Sequence, residues 1–180
     1  MSDPDRVTKG RPRLRCAAVV GWLVGTALVA ATPVLADDSI VTYKSISPDL
    51  AFKIAQAALK RCRDDGSQVA VVVMDRFGQT LVLLRDRYAG LPAPTTASSK
   101  AYTSLSFKLS TSAFVQAIAA KQLSPELGRL PNIVMMAGGL PIEAAGALVG
   151  AVGVSGAPGG DKDEACAQAG LDSVQDKLDF

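Results

Sequence analysis

Gln68-Val69-Ala70-Val71-Val72-Val73-Met74-Asp75 is an almost unbroken apolar run, followed by Arg76-Phe77-Gly78 and then by Thr80-Leu81-Val82-Leu83-Leu84-Arg85. Consecutive rather than alternating apolar residues describe a strand buried on both faces. Asp75-Arg76-Phe77-Gly78 is turn chemistry, and the second run returns as a partner strand, so the pair reads as a hairpin. Asp75 in that turn is expected to bond its own backbone.

Upstream, Ser47-Pro48-Asp49 opens a helix: Ser47 can cap, Pro48 suits the first helical position, and Asp49 complements the dipole. Leu50, Ile54, Ala57, Ala58 and Arg61 place a stripe on one face, and Gly66 ends the helix. Before it, Ile40 to Ile46 reads as a short strand or extended lead-in. Downstream, Ala89 to Pro94 is a loop, a helix runs from Thr95 or Thr96 to about Leu109, and Ser110-Thr111 breaks it. A shorter helix covers Ala113 to Gln122. Ile133 to Ala137 reads as a strand stopped by Gly138-Gly139. Leu140 to Ile142 begins another, Glu143 to Gly146 turns, and Ala147 to Val154 is a strand ended by Ser155-Gly156. A final helix starts at Asp161 or Lys162 and runs to about Lys177.

This order predicts an α+β fold with an antiparallel sheet and helices packed against it. It is not the alternating pattern of a doubly wound fold, and no G-x-G-x-x-G leads from a strand into a helix.

The chain has 180 residues, 48% of them apolar and 20% charged, which reads as one domain, or one domain plus a removable segment, and not as a disordered chain. Arg6, Lys9, Arg11, Arg13 and Arg15 precede an apolar run from Cys16 to Ala31, and Val34-Leu35-Ala36 comes before Asp37-Asp38. Residues 1–36 read as a signal peptide cleaved after Ala36, 37–45 as a lead-in and 46–180 as the domain. The competing reading is a retained anchor, for which the run is short. Five of the 19 basic and two of the 17 acidic residues fall in the leader, leaving 14 against 15 and a net of −1. No basic stripe remains, so nucleic-acid binding is set aside, and no span is expected after cleavage. The expected location is periplasmic or secreted.

Cys62 and Cys166 remain in the exported part. They read first as a disulfide between the first and last helices, with two buried thiols or a thiolate ligand as alternatives. The absence of any histidine excludes within this chain a Ser-His-Asp triad, a His-ligated zinc and a proximal-His haem.

Three clusters remain as candidates. The turns at Gly138-Gly139 and Ser155-Gly156 let backbone approach a ligand, or simply close tight turns. Thr95, Thr96, Ser98, Ser99, Lys100, Tyr102 and Thr103 open a helix whose N–H groups can receive an anion, or form a cap and a solvated face. Asp161, Asp163 and Glu164 open the last helix, where acids suit the dipole without any catalytic role.

Together, Val71-Val72-Val73-Met74-Asp75-Arg76-Phe77-Gly78, Arg85, Lys100-Ala101-Tyr102-Thr103 with Phe107 and Thr111, Gly138-Gly139-Leu140-Pro141-Ile142, Val149 through Gly156, Asp163-Glu164 and Ala167-Gln168-Ala169-Gly170 resemble the GlcG/HbpS family. These haem-binding-protein-like domains also form the C-terminal part of some cobalamin adenosyltransferases. The resemblance covers nearly all of 46–180. It implies a profilin-like domain, a central antiparallel sheet flanked by helices, in non-catalytic binders that form oligomers. Exported members are linked to haem and to sensor or redox partners, and others sit beside glycolate metabolism.

By this resemblance the ligand region surrounds Lys100 and the Gly-Gly-x-Pro motif, and the ligand-binding residues would be Arg85, Thr96, Lys100, Tyr102, Thr103, Thr111, Gly138, Gly139, Ser155 and Gly156. Lys100 and Arg85 would pair with ligand carboxylates. Relatives often carry a histidine where this chain has Leu91-Pro92-Ala93-Pro94-Thr95. An iron would then need Tyr88, Tyr102, Met135, Met136, a threonine hydroxyl or no protein ligand. The expected function is an exported, non-catalytic small-ligand binder with haem or another tetrapyrrole as cofactor, acting as a homo-oligomer. The alternatives are a ligand-free scaffold or partner of a sensor system, and an enzyme acting on a small acid or corrinoid.

Overall fold

The computed structural model describes residues 39–179; the expected signal peptide, residues 1–36, and its expected cleavage after Ala36 lie outside the described residues. Its elements are α1 (Pro48–Asp64), β1 (Ala70–Asp75), β2 (Thr80–Arg85), α2 (Ala93–Phe107), α3 (Thr111–Ala119), β3 (Gly139–Ala144), β4 (Ala147–Ser155) and α4 (Gly160–Asp172). Four antiparallel strands lie in the order β2-β1-β4-β3. This is the α+β arrangement that the element order predicts, and the sheet flanked by helices that the family resemblance implies.

The hairpin forms as read. Asp75 accepts through one carboxylate oxygen from the N–H groups of Phe77 (2.8 Å) and Gln79 (2.9 Å), which fixes the turn. β1 is buried on both sides because helices cover both faces of the sheet. Val71 and Val73 pair with Val154 and Val152 and meet Ile54, Ala58, Ala167 and Leu171 of α1 and α4. Ala70, Val72 and Met74 point the other way, onto Ala97, Ala101 and Leu105 of α2. Each valine or isoleucine so buried contributes about 1.5–3 kcal/mol relative to exposure.

Ser47 caps α1 by accepting from the Leu50 N–H at 3.3 Å. Cys62 of α1 and Cys166 of α4 form the disulfide, with Cα atoms 5.5 Å apart. The sheet's two edges differ: β3 carries Pro141, which has no N–H to donate, whereas β2 carries none.

Several boundaries depart from the sequence reading. Ile133 to Ala137 is not a strand, because Val134 gives its N–H to the Thr103 hydroxyl (3.0 Å) rather than to a neighbouring strand. Gly139 begins β3 instead of ending a strand. α2 starts at Ala93, as Ala93 and Thr96 donate to Gly90 and Pro92 carbonyls across the loop's prolines. It ends where Lys108 turns left-handed at φ 55°. Ser110 then caps α3 by accepting from Ala113, so α3 opens at Thr111. α4 stops at Asp172, and a short 3-10 turn, Gln175–Lys177, follows. Residues 41–47 are extended without strand pairing, held where Ile46 donates to Val149 O at 3.0 Å.

Candidate functional site

α2 lies on the sheet at backbone contact. A Cβ on Gly153 would fall on the Ala97 carbonyl oxygen, and one on Gly139 on the carbonyl of Lys100. Glycine at both positions lets the helix settle low enough for Lys100 to reach the far end of β4. There its ammonium donates to Val154 O (2.9 Å) and to Asp163 Oδ2 (2.6 Å). The other Asp163 oxygen accepts the Ala157 N–H at 3.0 Å. Both side chains are almost wholly buried. Burial pushes the Asp163 carboxyl above its usual range, against the opposing pull of the Lys100 and Ala157 hydrogen bonds.

A second set of bonds braces this pair. Glu164, next in α4, accepts from the Ser112 hydroxyl (2.6 Å) and the Gly138 N–H (3.3 Å). The buried Thr111 hydroxyl accepts from Gly139 N–H at 2.9 Å, and Thr103 donates to Ser99 O at 2.7 Å. Gly138 has φ +122°, and a Cβ there would stand 2.8 Å from both Lys100 Nζ and Asp163 Cβ. Only glycine fits both the conformation and the space.

Lys100 and Asp163 face a cavity of about 460 Å³, bordered also by Met136, Ala137, Ser155 and the glycine-rich turn 156–160. The volume is within the range of about 300–1,000 Å³ usual for small-molecule sites. Ser155 is 9% exposed, and no described residue bonds its hydroxyl. The site therefore combines one paired cation, a backbone donor, a free hydroxyl and a thioether. Asp161 at its rim adds negative charge.

Of the residues expected from the sequence, Lys100, Ser155 and Gly156 border this cavity; Gly138 abuts the Lys100–Asp163 pair. Thr111 and Gly139 bond each other where Gly139 meets the Lys100 backbone, Thr103 bonds Ser99 O and the Val134 N–H instead, and Thr96 stands one turn before Lys100 on the same flank of α2. Arg85 is not brought in. It lies two strands away in the row Arg85, Ala70, Ser155, about 10 Å off, and its guanidinium bonds Ala89 O at 2.6 Å. Tyr102 leaves α2 on the opposite flank and packs over Gly78. Tyr88 is exposed in the loop after β2, and Met135 turns toward Gly128. Among the four iron-ligand candidates, Met136 alone borders the cavity. No group of three metal-ligating side chains occurs among the described residues.

Sequence reasoning passed over the partners of Lys100. Asp163 and Glu164 look like ordinary first-turn acids, and their roles depend on a fold contact 63 residues away in the chain. Asp163-Glu164 among the family-like segments is the one signal that pointed to them.

The family model described as "Haem degrading protein HbpS-like" matches residues 46–172. A double mutant of Streptomyces reticuli HbpS is 39% identical with a TM-score of 0.71, over 79% of this chain and 97% of that one. An uncharacterized 15.0 kDa protein from the dhaT-dhaS intergenic region of Citrobacter freundii is 32% identical, over 68% of this chain and 87% of its own. The PduOC:heme complex shares the fold at 24% identity and a TM-score of 0.65, over 72% of this chain and 94% of that one. With its sheet order, glycine contacts and Lys100–Asp163 pair in hand, the chain belongs to the HbpS-like family.

Proposed function

We propose that the protein is an exported binder of haem or another tetrapyrrole, held in the Lys100 cavity. The family's own description names haem, and the observation that carries the reading to this chain is the cavity's donor set. Lys100 Nζ and the Ala157 N–H already hold a carboxylate, that of Asp163, which is the group a propionate presents. Met136 would offer a thioether, a ligand type known for haem iron, in a chain that has no histidine. When bound, haem supplies a redox-active iron; the chain's residues anchor its carboxylates and shape the pocket. Titrating hemin into the purified protein should shift the Soret band, and Met136→Leu should alter that spectrum. An unchanged Soret band on hemin addition sinks the reading.

The role is binding rather than turnover. No histidine is present to cycle protons near neutral pH, and the cavity's buried lysine and carboxylate, Lys100 and Asp163, are already bonded to each other. The family's description favours a second reading, haem degradation. Loss of the Soret band from hemin-loaded protein given ascorbate, faster than from free hemin, would establish it.

Export rests on the basic stretch and apolar run before Asp37 and on a cysteine pair suited to an oxidising space. The mature chain found outside the cytoplasm should begin at Asp37. Its expected state is a homo-oligomer, which sedimentation across concentrations tests.

A further inference from the structure

The Lys100 cavity holds a carboxylate of the protein's own. Asp163 takes the Lys100 ammonium on one oxygen and the Ala157 N–H on the other, the two donors any ligand carboxylate would want there. Lys100 is otherwise fixed to Val154 O, so it cannot swing out to a second anion while keeping Asp163. We propose that Asp163 is a built-in competitor: a ligand carboxylate takes over Lys100 Nζ and the Ala157 N–H, and Asp163 takes up one proton from solvent as it releases them.

The proton is required by the surroundings. A displaced Asp163 carboxylate stays buried in the cavity wall beside the incoming anion, and two carboxylates at one cation do not both remain ionised. From α2 the only charge facing Asp163 is Lys100, and from α4 it is Asp161, which repels. Glu164 is already bonded to Ser112 and Gly138. β4 and the turn 156–159 present no titratable side chain to it. Burial already holds Asp163 above the ordinary carboxyl range, which eases the uptake. In its protonated form Asp163 is a donor that can bond the ligand that displaced it.

This inference rests on the carboxylate-binding reading of the cavity, and its test separates the two. The probes are hemin and hemin dimethyl ester, which lacks free carboxylates, titrated between about pH 6 and 8. With one proton taken up, the hemin Kd rises about tenfold per pH unit, while the ester shows no such slope. Asp163→Asn removes the competitor, so hemin binds at least tenfold tighter at pH 8 and the slope flattens. Should that variant misfold, weakly buffered titration of the wild-type protein reads one proton absorbed per hemin bound. Hemin binding without proton uptake, or with the ester's pH profile, overturns the exchange alone. Failure of both porphyrins to bind overturns the functional reading and the exchange with it.

Discussion

Gly153 of β4 lies directly under the Ala97 carbonyl of α2, so close that no side chain fits between strand and helix. This contact sets the height of α2 and hence the reach of Lys100. Both sides of the contact are backbone, and neither can yield as a flexible side chain would. Gly153→Ala should therefore exceed the usual overpacking cost of about 1–3 kcal/mol. Urea unfolding measures it, and a variant within about 1 kcal/mol of wild type would show that the helix lifts freely.

Lys100 and Asp163 are buried together, so losing one leaves the other uncompensated. Lys100→Met should cost about 3–5 kcal/mol, the usual penalty for breaking a buried pair. Replacing both, as Lys100→Met with Asp163→Leu, should cost markedly less. A double-mutant cycle by chemical denaturation compares them; additive costs would mean that the two groups do not depend on each other.

Asp163 also sets a pH dependence of unusual sign. Its folded value is raised from 3.8 chiefly by burial, so the folded protein keeps this proton at a pH where the unfolded chain has lost it. The contribution is full below the unfolded value and is lost as pH rises through the folded one. The stability of wild type relative to Asp163→Asn should thus fall as pH rises from 3.8, which urea midpoints across that range measure. A relative stability that grows with pH would show that the Lys100 bond outweighs burial.

The disulfide closes a loop of 104 residues between α1 and α4. For a loop of this order the chain-entropy account gives about 4.7 kcal/mol. Reduced protein, or Cys62→Ala with Cys166→Ala, should lose about 2–5 kcal/mol of unfolding free energy. Denaturant midpoints with and without reductant check this.

Thr111 Oγ1 accepts the buried Gly139 N–H where α3 meets β3. Thr111→Val keeps the shape and removes the acceptor, leaving that N–H unmatched at a cost of about 1–3 kcal/mol. Thr111→Ser should restore most of it in the same unfolding assay.

The hairpin and α1 with its cap were legible because each rests on local chemistry, a β-branched run and Ser47 before Pro48, and the cysteine pair because only two thiols remain after residue 36. Ile133 to Ala137 misled because an apolar run carries no information about its hydrogen-bond partner, which here is the Thr103 hydroxyl. The site was half legible. Lys100 and the glycines stood out, but a lysine's sequence neighbours do not reveal that its counter-ion waits on another helix. Arg85 and Tyr102 lie away from the Lys100 cavity, one two strands off and the other on the opposite flank of α2, which neighbours in the chain do not reveal.

Three residues of α4, about 4.5 Å of rise, separate Asp163 from Cys166. The covalent staple to α1 thus clamps the same turn that delivers the carboxylate to Lys100. Without that staple the carboxylate would be held only by packing and by its bonds to Lys100 and Ala157, so oxidation fastens the pocket as well as the fold.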